Sequence, residues 1–451
     1  MTQTSAMSRR AWLKLSTAGV VGWSMSGWLE ALAEQTARDP ERKRSVILLW
    51  MSGGPSHMDT FDLKPGHPNG GPFKEIKTTA AEMRISEHLP RLAQQAKHLA
   101  LIRSMSTKEA DHGRATYLMR TGRPPGGPIQ YPPLGSFLSK ELDSPNAELP
   151  GFVSIAPYRF LSPAAFTAGF LGPRYAPLVV GENGGQVVAQ PNGGTDYARA
   201  LHVEDLDRPA DVDIRRADAR VALLDDMEKE FLTRRPGVAS LSHHTAYQRA
   251  ITMMRSQAVK AFDLEEEKDS LRDAYGRNLF GQGCLLARRL VERSVPFVEV
   301  TLSNITGGAG LGWDTHQNNF ERVKRLCEVL DPAWATLMSD LKDRGLLDST
   351  MIVWMGEFGR TPRINGNTGR DHWATSWTTV LGGGGIKGGQ VIGKTTRDGM
   401  AVDGKAVSVA DLLATVCQGL GIDPRKQNNS NVGRPIRLVE PSARAIQEVL
   451  S

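Results

Sequence analysis

The sequence predicts an α/β fold in three layers, a mostly parallel central sheet with helices on both faces. Two observations predict it. Short runs that are apolar at every position, as in strands buried on both faces, end in glycine-rich or polar loops. Between them lie segments with apolar residues at helical spacing, so strand and helix patterns alternate.

Val46 to Met51 is the first such run, and Ser52-Gly53-Gly54-Pro55 marks the turn at its carboxyl end. Glu87 to Lys97 carries a helical pattern, and Leu99 to Ile102 reads as a second buried strand. Arg114 to Arg120 is a helix stopped by Gly122 and the Pro124-Pro125 pair. Further on come a helix over Leu285 to Glu292 and a strand over Pro296 to Leu302. Phe320 to Arg344 is a long helical pattern with a break expected at Pro332 and a stop at Gly345. Met351 to Met355 and Thr378 to Leu381 are strands, and the second runs into four glycines, Gly382 to Gly385. Val409 to Leu420 closes the series as a helix. The middle departs from this rhythm. Residues 150–209 are rich in Gly, Pro and aromatics, and 210–275 are charged and helical. Residues 150–275 are therefore expected to be an insertion or cap on a single domain spanning 34–451.

Residues 1–33 have the character of a twin-arginine export signal. Ser8-Arg9-Arg10-Ala11-Trp12-Leu13-Lys14 is followed by a modestly apolar stretch to Leu32 and the small-residue pattern Ala31-Leu32-Ala33. Gly19, Gly22, Gly27 and several serines make that stretch too polar for a membrane span. The expectation is cleavage after Ala33, passage through the twin-arginine machinery, and a mature protein in the periplasm or cell envelope with no integral span. Arg9, Arg10 and Lys14 against Glu30 give this segment +2 of the formal +6, leaving +4 for the rest. Those charges are interspersed, without a polybasic run or aromatic–basic alternation, so nucleic acid is not an expected partner. Cys284, Cys327 and Cys417 lie far apart and form no CxxC pair, which points to buried thiols.

In open α/β sheets ligands bind beyond the carboxyl ends of the strands, so the residues in those loops matter most. His57 and Asp59 follow the first strand, and Asp111-His112 the second. Asp314 and His316 follow the strand ending near Leu302, Glu357 follows Met355, and Asp371-His372 lies in a later loop. Taken singly, an aspartate beside a histidine more often caps a helix or orients a ring. Five such loops on one rim point to a metal site. The candidate ligands are His57, Asp59, Asp314, His316, Glu357, Asp371 and His372, and the candidate ions are zinc, manganese or calcium. His112 is the candidate general acid–base group or nucleophile, with Arg114 beside it. Arg114, Arg360 and Arg370 are placed to contact anionic oxygens; the plainer reading of each is a salt bridge. Gly388 to Thr395 matches the P-loop string, but the residues after Lys394 read as turns, where a P-loop needs a helix. His243-His244 reads as a solvated pair.

The stretch Asp348 to Gly359, with Leu341 to Leu347 before it, resembles the sulfatase and alkaline-phosphatase superfamily, as does Val407 to Thr415. More closely, four strings resemble the domain-of-unknown-function 1501 family of exported bacterial proteins. They are Gly53 to Asp62, Gly312 to His316, Glu357 to Pro362 and Arg370 to Trp373. The resemblance implies an alkaline-phosphatase-like three-layer sandwich and a metal-dependent hydrolase of phosphate or sulfate esters, small or glycan-linked. The sequence departs from the sulfatase pattern at the nucleophile. Ala110 or His112 falls in the slot of the formylglycine precursor, and neither can become formylglycine. Glu357-Phe358 stands for a metal-binding Asp-His, and Ser52 for the first strand's aspartate. The alternative expectation is a catalytically lapsed member serving as a periplasmic or surface glycan-binding or structural protein.

Overall fold

A computed structural model describes residues 44–142, 147–181, 197–201, 203, 206, 208–235, 238–305 and 310–451. The expected export signal and its cleavage site lie outside these residues. The strands of the central sheet are β1 (Ser45–Met51), β2 (Leu99–Met105), β3 (Phe152–Ile155), β4 (Leu178–Val180), β5 (Phe297–Leu302), β6 (Thr350–Met355), β7 (Trp377–Gly383) and β8 (Gln390–Ile392). The main helices are α1 (His112–Thr121), α2 (Leu134–Leu142), α3 (Ile214–Arg234), α4 (Val238–Arg255), α5 (Leu279–Glu292), α6 (Asn319–Asp343) and α7 (Val409–Gly419).

Side chains alternate across β1 and feed two separate cores. Val46, Leu48 and Trp50 pack with Met119 of α1, Phe137 of α2 and Leu412 of α7. Ile47, Leu49 and Met51 pack with Leu285 of α5 and Leu330 of α6 on the other face. Three layers follow directly from that alternation, as expected. On the second face Trp334 stacks on Trp354 at 6.1 Å, and Phe61 meets Trp354 edge-on at 4.8 Å. Each such fully buried side chain contributes roughly 1.5–3 kcal/mol.

The sheet runs β8-β2-β7-β6-β1-β5-β3-β4. All neighbours pair parallel except β7, which is antiparallel to both β2 and β6. Trp377 at the start of β7 lies opposite Met105 at the end of β2. The loop entering β7 therefore reaches the same rim as the loops leaving β1, β2, β5 and β6. This one inverted strand brings Asp371 and His372 to that rim.

Several elements differ from expectation. The pattern at 87–97 resolves into a short helix, Pro90–Ala93, and a 3₁₀ turn, Ala96–His98. Asp331 of α6 supplies that short helix with a remote cap, accepting from the amides of Arg91 and Leu92 at 3.0 and 2.7 Å. No break occurs at Pro332, and α6 is continuous. The ring there costs about 3 kcal/mol, which burial of Leu330, Ala333, Trp334 and Leu337 outweighs. Strands β3 and β4 fall inside the segment expected to be an insertion, so its first part belongs to the sheet. The helical pair α3 and α4 makes up the later part, and Leu223, Met227 and Phe231 are exposed on it. At Gly388–Thr395 the chain forms β8 and then turns, with no helix from Lys394, whose ammonium pairs with Asp403 at 2.7 Å. All three cysteines are free and buried, and burial raises each thiol pKa. Among the described residues no helix is long and apolar enough to cross a membrane.

Candidate active site

Three rim loops are held against one another by backbone contacts that leave no room for side chains. Gly53, at φ +111°, follows β1, and a Cβ there would lie 2.4 Å from the amide nitrogen of Asp314. A Cβ on Gly369 would fall 1.9 Å from the carbonyl oxygen of His316. Trp313 donates its amide to Ser52, and Arg370 donates its amide to Thr315. The β5 loop is thus clamped between the β1 loop and the loop entering β7.

These contacts bring His112, Asp314, His316, Glu357, His372 and Arg360 together. His112 is the first residue of α1, behind the N-cap Asp111, which accepts from Arg114 N. Its Nδ1 donates to Glu357 Oε1 at 2.6 Å, and Glu357 is fixed in turn by the Gly53 amide at 2.9 Å. His316 Nδ1 donates to Asp371 Oδ1 at 2.8 Å. His372 Nδ1 donates to the Ala110 carbonyl at 2.7 Å. All three acceptors take a proton and give none, so each imidazole in its neutral form carries its hydrogen on Nδ1 and a lone pair on Nε2.

All three Nε2 atoms face one oxygen. Asp314 Oδ1 lies 3.3 Å from His112 Nε2, 3.0 Å from His316 Nε2 and 3.3 Å from His372 Nε2. The two ring nitrogens of His316 and His372 are 3.0 Å apart. Arg360, which can only donate, approaches His316 Nε2 at 3.4 Å, in keeping with a lone pair there. Ligand atoms of His112, Asp314 and His372 all lie within 4.8 Å of one another. His112 Nε2 is buried and makes no aligned hydrogen bond, since its approach to Asp314 satisfies distance alone. Lone pairs crowded around a carboxylate repel unless a cation or proton sits among them. The donor set therefore fits a divalent metal, with Glu357, Asp371 and Ala110 fixing the rings from behind. Calcium, which prefers oxygen ligands, is the poorest match among the expected ions.

The charges are strongly coupled. Burial alone would lower the His112 pKa, but the adjacent Asp314 carboxylate and the Glu357 hydrogen bond lift it to about 9, so that without a metal a proton takes the place a cation would fill among these groups. Burial would raise Asp314; bonds from His112 and His372 and the field of Arg360 hold it below the usual carboxylate range instead. Arg360 is wholly buried, donates to the Gly54 carbonyl at 3.0 Å and to the Gly53 carbonyl, and pairs with Asp314 at 2.6 Å. Phe358 packs beside the His112 and His372 rings, with centroids 4.8 Å away in each case.

The remaining candidates lie elsewhere. Asp59 is fully buried and accepts from Arg370 Nε at 2.7 Å, Arg370 Nη2 at 3.0 Å and Asn319 at 2.9 Å. Arg370 spends its other donors on the carbonyls of Thr361, Pro362 and Asn69. His57 is buried, with Nε2 donating to the Gly399 carbonyl at 3.1 Å. These three belong to a structural network under the rim and are not brought into the cluster. The Arg114 side chain is exposed and paired with Glu109 at 2.8 Å. Asp371 backs His316 and does not itself face Asp314 Oδ1. Sequence reasoning missed the Ala110 carbonyl, Phe358, and Asn365, which holds both the His316 carbonyl and Asp371. A backbone acceptor leaves no trace in residue type; Asn365 shows only as part of a turn-rich Asn-Gly-Asn string. A second possible ligand group, Asp225, Glu228 and His244, lies between α3 and α4, where His244 Nδ1 pairs with Glu228 at 2.6 Å. The His243 side chain lies outside the described residues.

Three solved structures illustrate what the fold is similar to. A lipoteichoic acid synthase from Listeria monocytogenes shares 10% identity over 88% of this chain and 74% of its own, at a TM-score of 0.40. A sulfatase from Pseudoalteromonas sp. shares 12% over 89% and 72%, at 0.35. The alkaline phosphatase of the Antarctic bacterium TAB5 shares 11% over 85% and 100%, also at 0.35. Likeness at this level carries no argument about activity. No curated protein matches the chain in sequence. The match of a family model over residues 43–450 is decisive: the chain belongs to the family described as "Protein of unknown function (DUF1501)".

Proposed function

We propose that the protein is a metal-dependent hydrolase of phosphate or sulfate esters, small or glycan-linked, within the alkaline-phosphatase-like group. One observation carries the reading: three imidazoles with committed Nδ1 atoms turn their Nε2 lone pairs onto Asp314 Oδ1. His112, Asp314, His316 and His372 are the proposed ligands, and three nitrogens with one carboxylate favour zinc, with manganese next. A divalent ion held by these residues would supply Lewis acidity toward an ester oxygen and lower the pKa of water. The chain itself orients and neutralises. Arg360, fixed by two backbone carbonyls, presents a rigid cation beside the ligands, and the N-terminus of α1 adds partial positive charge on the same side. Both favour an anionic ester. Glu357 holds the His112 ring through Oε1, and its buried Oε2 meets no partner among the described residues.

Twin-arginine export and a location in the periplasm or cell envelope are part of the proposal, resting on residues 8–33. Folding before export would let the ion be inserted first. Among the described residues the cluster presents no hydroxyl or thiol nucleophile, and that observation favours one second reading: a metal-bearing, catalytically lapsed protein that binds anionic glycans. The test is metal analysis of the purified mature chain, then assay of 4-nitrophenyl phosphate and sulfate after chelation and metal return. About one ion per cluster and turnover that follows the metal are expected. A chain that neither holds nor takes up metal sinks both readings, and metal without turnover selects the second.

A further inference from the structure

We propose that the outer face of α3 is a two-fold interface on which a second copy of this chain docks, helix against antiparallel helix. The inference is independent of the hydrolase reading. α3 is a 21-residue helix, and none of its residues is buried. Ala217, Val221, Leu224, Glu228 and Leu232 are half-buried and recur at helical spacing, which defines its inner side. Polar pairs join that side to α4: Asp218 with Arg255 at 2.7 Å, Glu228 with His244 at 2.6 Å, and Asp225 accepting from Gln248.

The opposite face is apolar at its middle. Leu223, Met227 and Phe231, four residues apart, are 62%, 61% and 50% exposed. Such a ridge is the surface that one helix packs into the groove of another. A helix that buries no residue fully gains little from the body beneath it, and its apolar ridge is left facing water.

The charges select the occupant. In the first half of α3, 214–224, Arg215, Arg216 and Arg220 against Asp218 leave +2. In the second half, 225–234, Asp225, Asp226, Glu228 and Glu230 against Lys229 and Arg234 leave −2. The sign reverses between Leu223 and Met227, at the centre of the ridge. Antiparallel pairing about that centre sets each basic half on an acidic half, whereas parallel pairing would set like on like. The same register sets Leu223 of each copy against Met227 of the other, bulky Phe231 against small, exposed Ala219, and Arg220 level with Glu230. One two-fold axis satisfies charge and shape together, as an isologous interface requires. With no net charge, the helix lacks the basic face that an anionic membrane attracts. Two helices roughly 30 Å long bury less than the ~1,200–2,000 Å² of tight complexes, so the dimer is of micromolar strength.

Sedimentation equilibrium of the full chain, from about 1 to 200 µM, tests this. The wild-type chain is expected to dimerise with a dissociation constant of about 1–100 µM. Met227→Glu, at an exposed site, is expected to weaken the dimer at least about tenfold. Arg220→Glu and Glu230→Arg are each expected to weaken it about tenfold, while the double variant returns to within about threefold of wild type. Ten residues, roughly 15 Å, separate the two positions along one helix, so recovery reports contact between copies. A wild-type chain still monomeric at about 200 µM, an undiminished dimer in Met227→Glu, or no recovery in the double variant overturns the interface. So does flotation of a monomeric chain with phosphatidylglycerol vesicles, which would give this face to a membrane.

Discussion

Asp59 and Asp314 both follow central strands and both pair with a buried arginine, yet their surroundings differ in kind. Asp59 and Arg370 are each fully buried, and every oxygen of the carboxylate meets a donor. Asp314 keeps a quarter of its side chain exposed, and three imidazole nitrogens crowd one of its oxygens with a single guanidinium. A satisfied pair stabilises. An over-subscribed, partly open one is poised to exchange its partners for a cation. The same residue types thus serve structure at one point of the rim and chemistry at another.

Substitution at Asp314 is the sharpest way to break this contrast. Asp314→Ala is expected to bring metal content down to background and remove metal-dependent turnover; it also strips buried Arg360 of its carboxylate, so the metal-free melting temperature falls, but by less than in Asp59→Ala because Asp314 is a quarter exposed. Mass spectrometric metal analysis and a melting curve in chelator decide it. Retained stoichiometric metal would show that the imidazoles bind elsewhere.

Asp59→Ala should do the reverse. It leaves the Arg370 guanidinium buried and unpaired, which typically costs about 3–5 kcal/mol. Denaturant unfolding is expected to show that loss, with metal affinity little changed in whatever fraction stays folded. A loss below about 1 kcal/mol would be the behaviour of an exposed pair and would remove Asp59 from the structural network.

His57 extends the structural side into pH dependence. Burial lowers its pKa from 6.5 to about 4, with Asp62 and the Gly399 carbonyl opposing the shift. Between those values the unfolded chain binds a proton that the folded one refuses, so acid favours unfolding. The stabilisation is complete above pH 6.5 and is lost as pH falls toward 4, amounting to roughly 3 kcal/mol. His57→Gln should reduce the stability difference between pH 7 and pH 4.5 by most of that amount. Parallel pH profiles for the two proteins would show that His57 is not held neutral.

The layers and most strands were legible because buried strands and helical faces write their periods directly into residue order. The loops that carry chemistry were legible by residue type. Which member of each loop faces inward was not. His57 and His112 look alike beside their aspartates; only packing shows that one ring lies under the rim and the other opens onto it. Arg370 finds Asp59 across 311 residues, a contact with no local signature. The direction of β7 was equally hidden, since a buried run reads the same both ways, and Asp371 and His372 reach the cluster through that direction alone.

Asp371 probes the boundary between the two kinds of site. It does not meet Asp314 Oδ1, but it fixes His316, accepting from Nδ1 at 2.8 Å while Asn365 steadies the same oxygen at 3.1 Å. Hydrogen bonding from His316 is the main reason its carboxyl lies below the ordinary carboxylate range. A carboxylate behind a ligating imidazole both aligns the ring and strengthens its donor nitrogen, and its loss typically lowers metal affinity 10–100-fold. Because Asp371 is half exposed, water can replace part of that support, so Asp371→Asn is expected near the tenfold end. Competition against a chelating dye measures it, with Asn365→Ala as a milder version of the same loss. Unchanged affinity in both variants would take His316 out of the ligand set and leave His112, Asp314 and His372 as the cation's only anchors in the cluster.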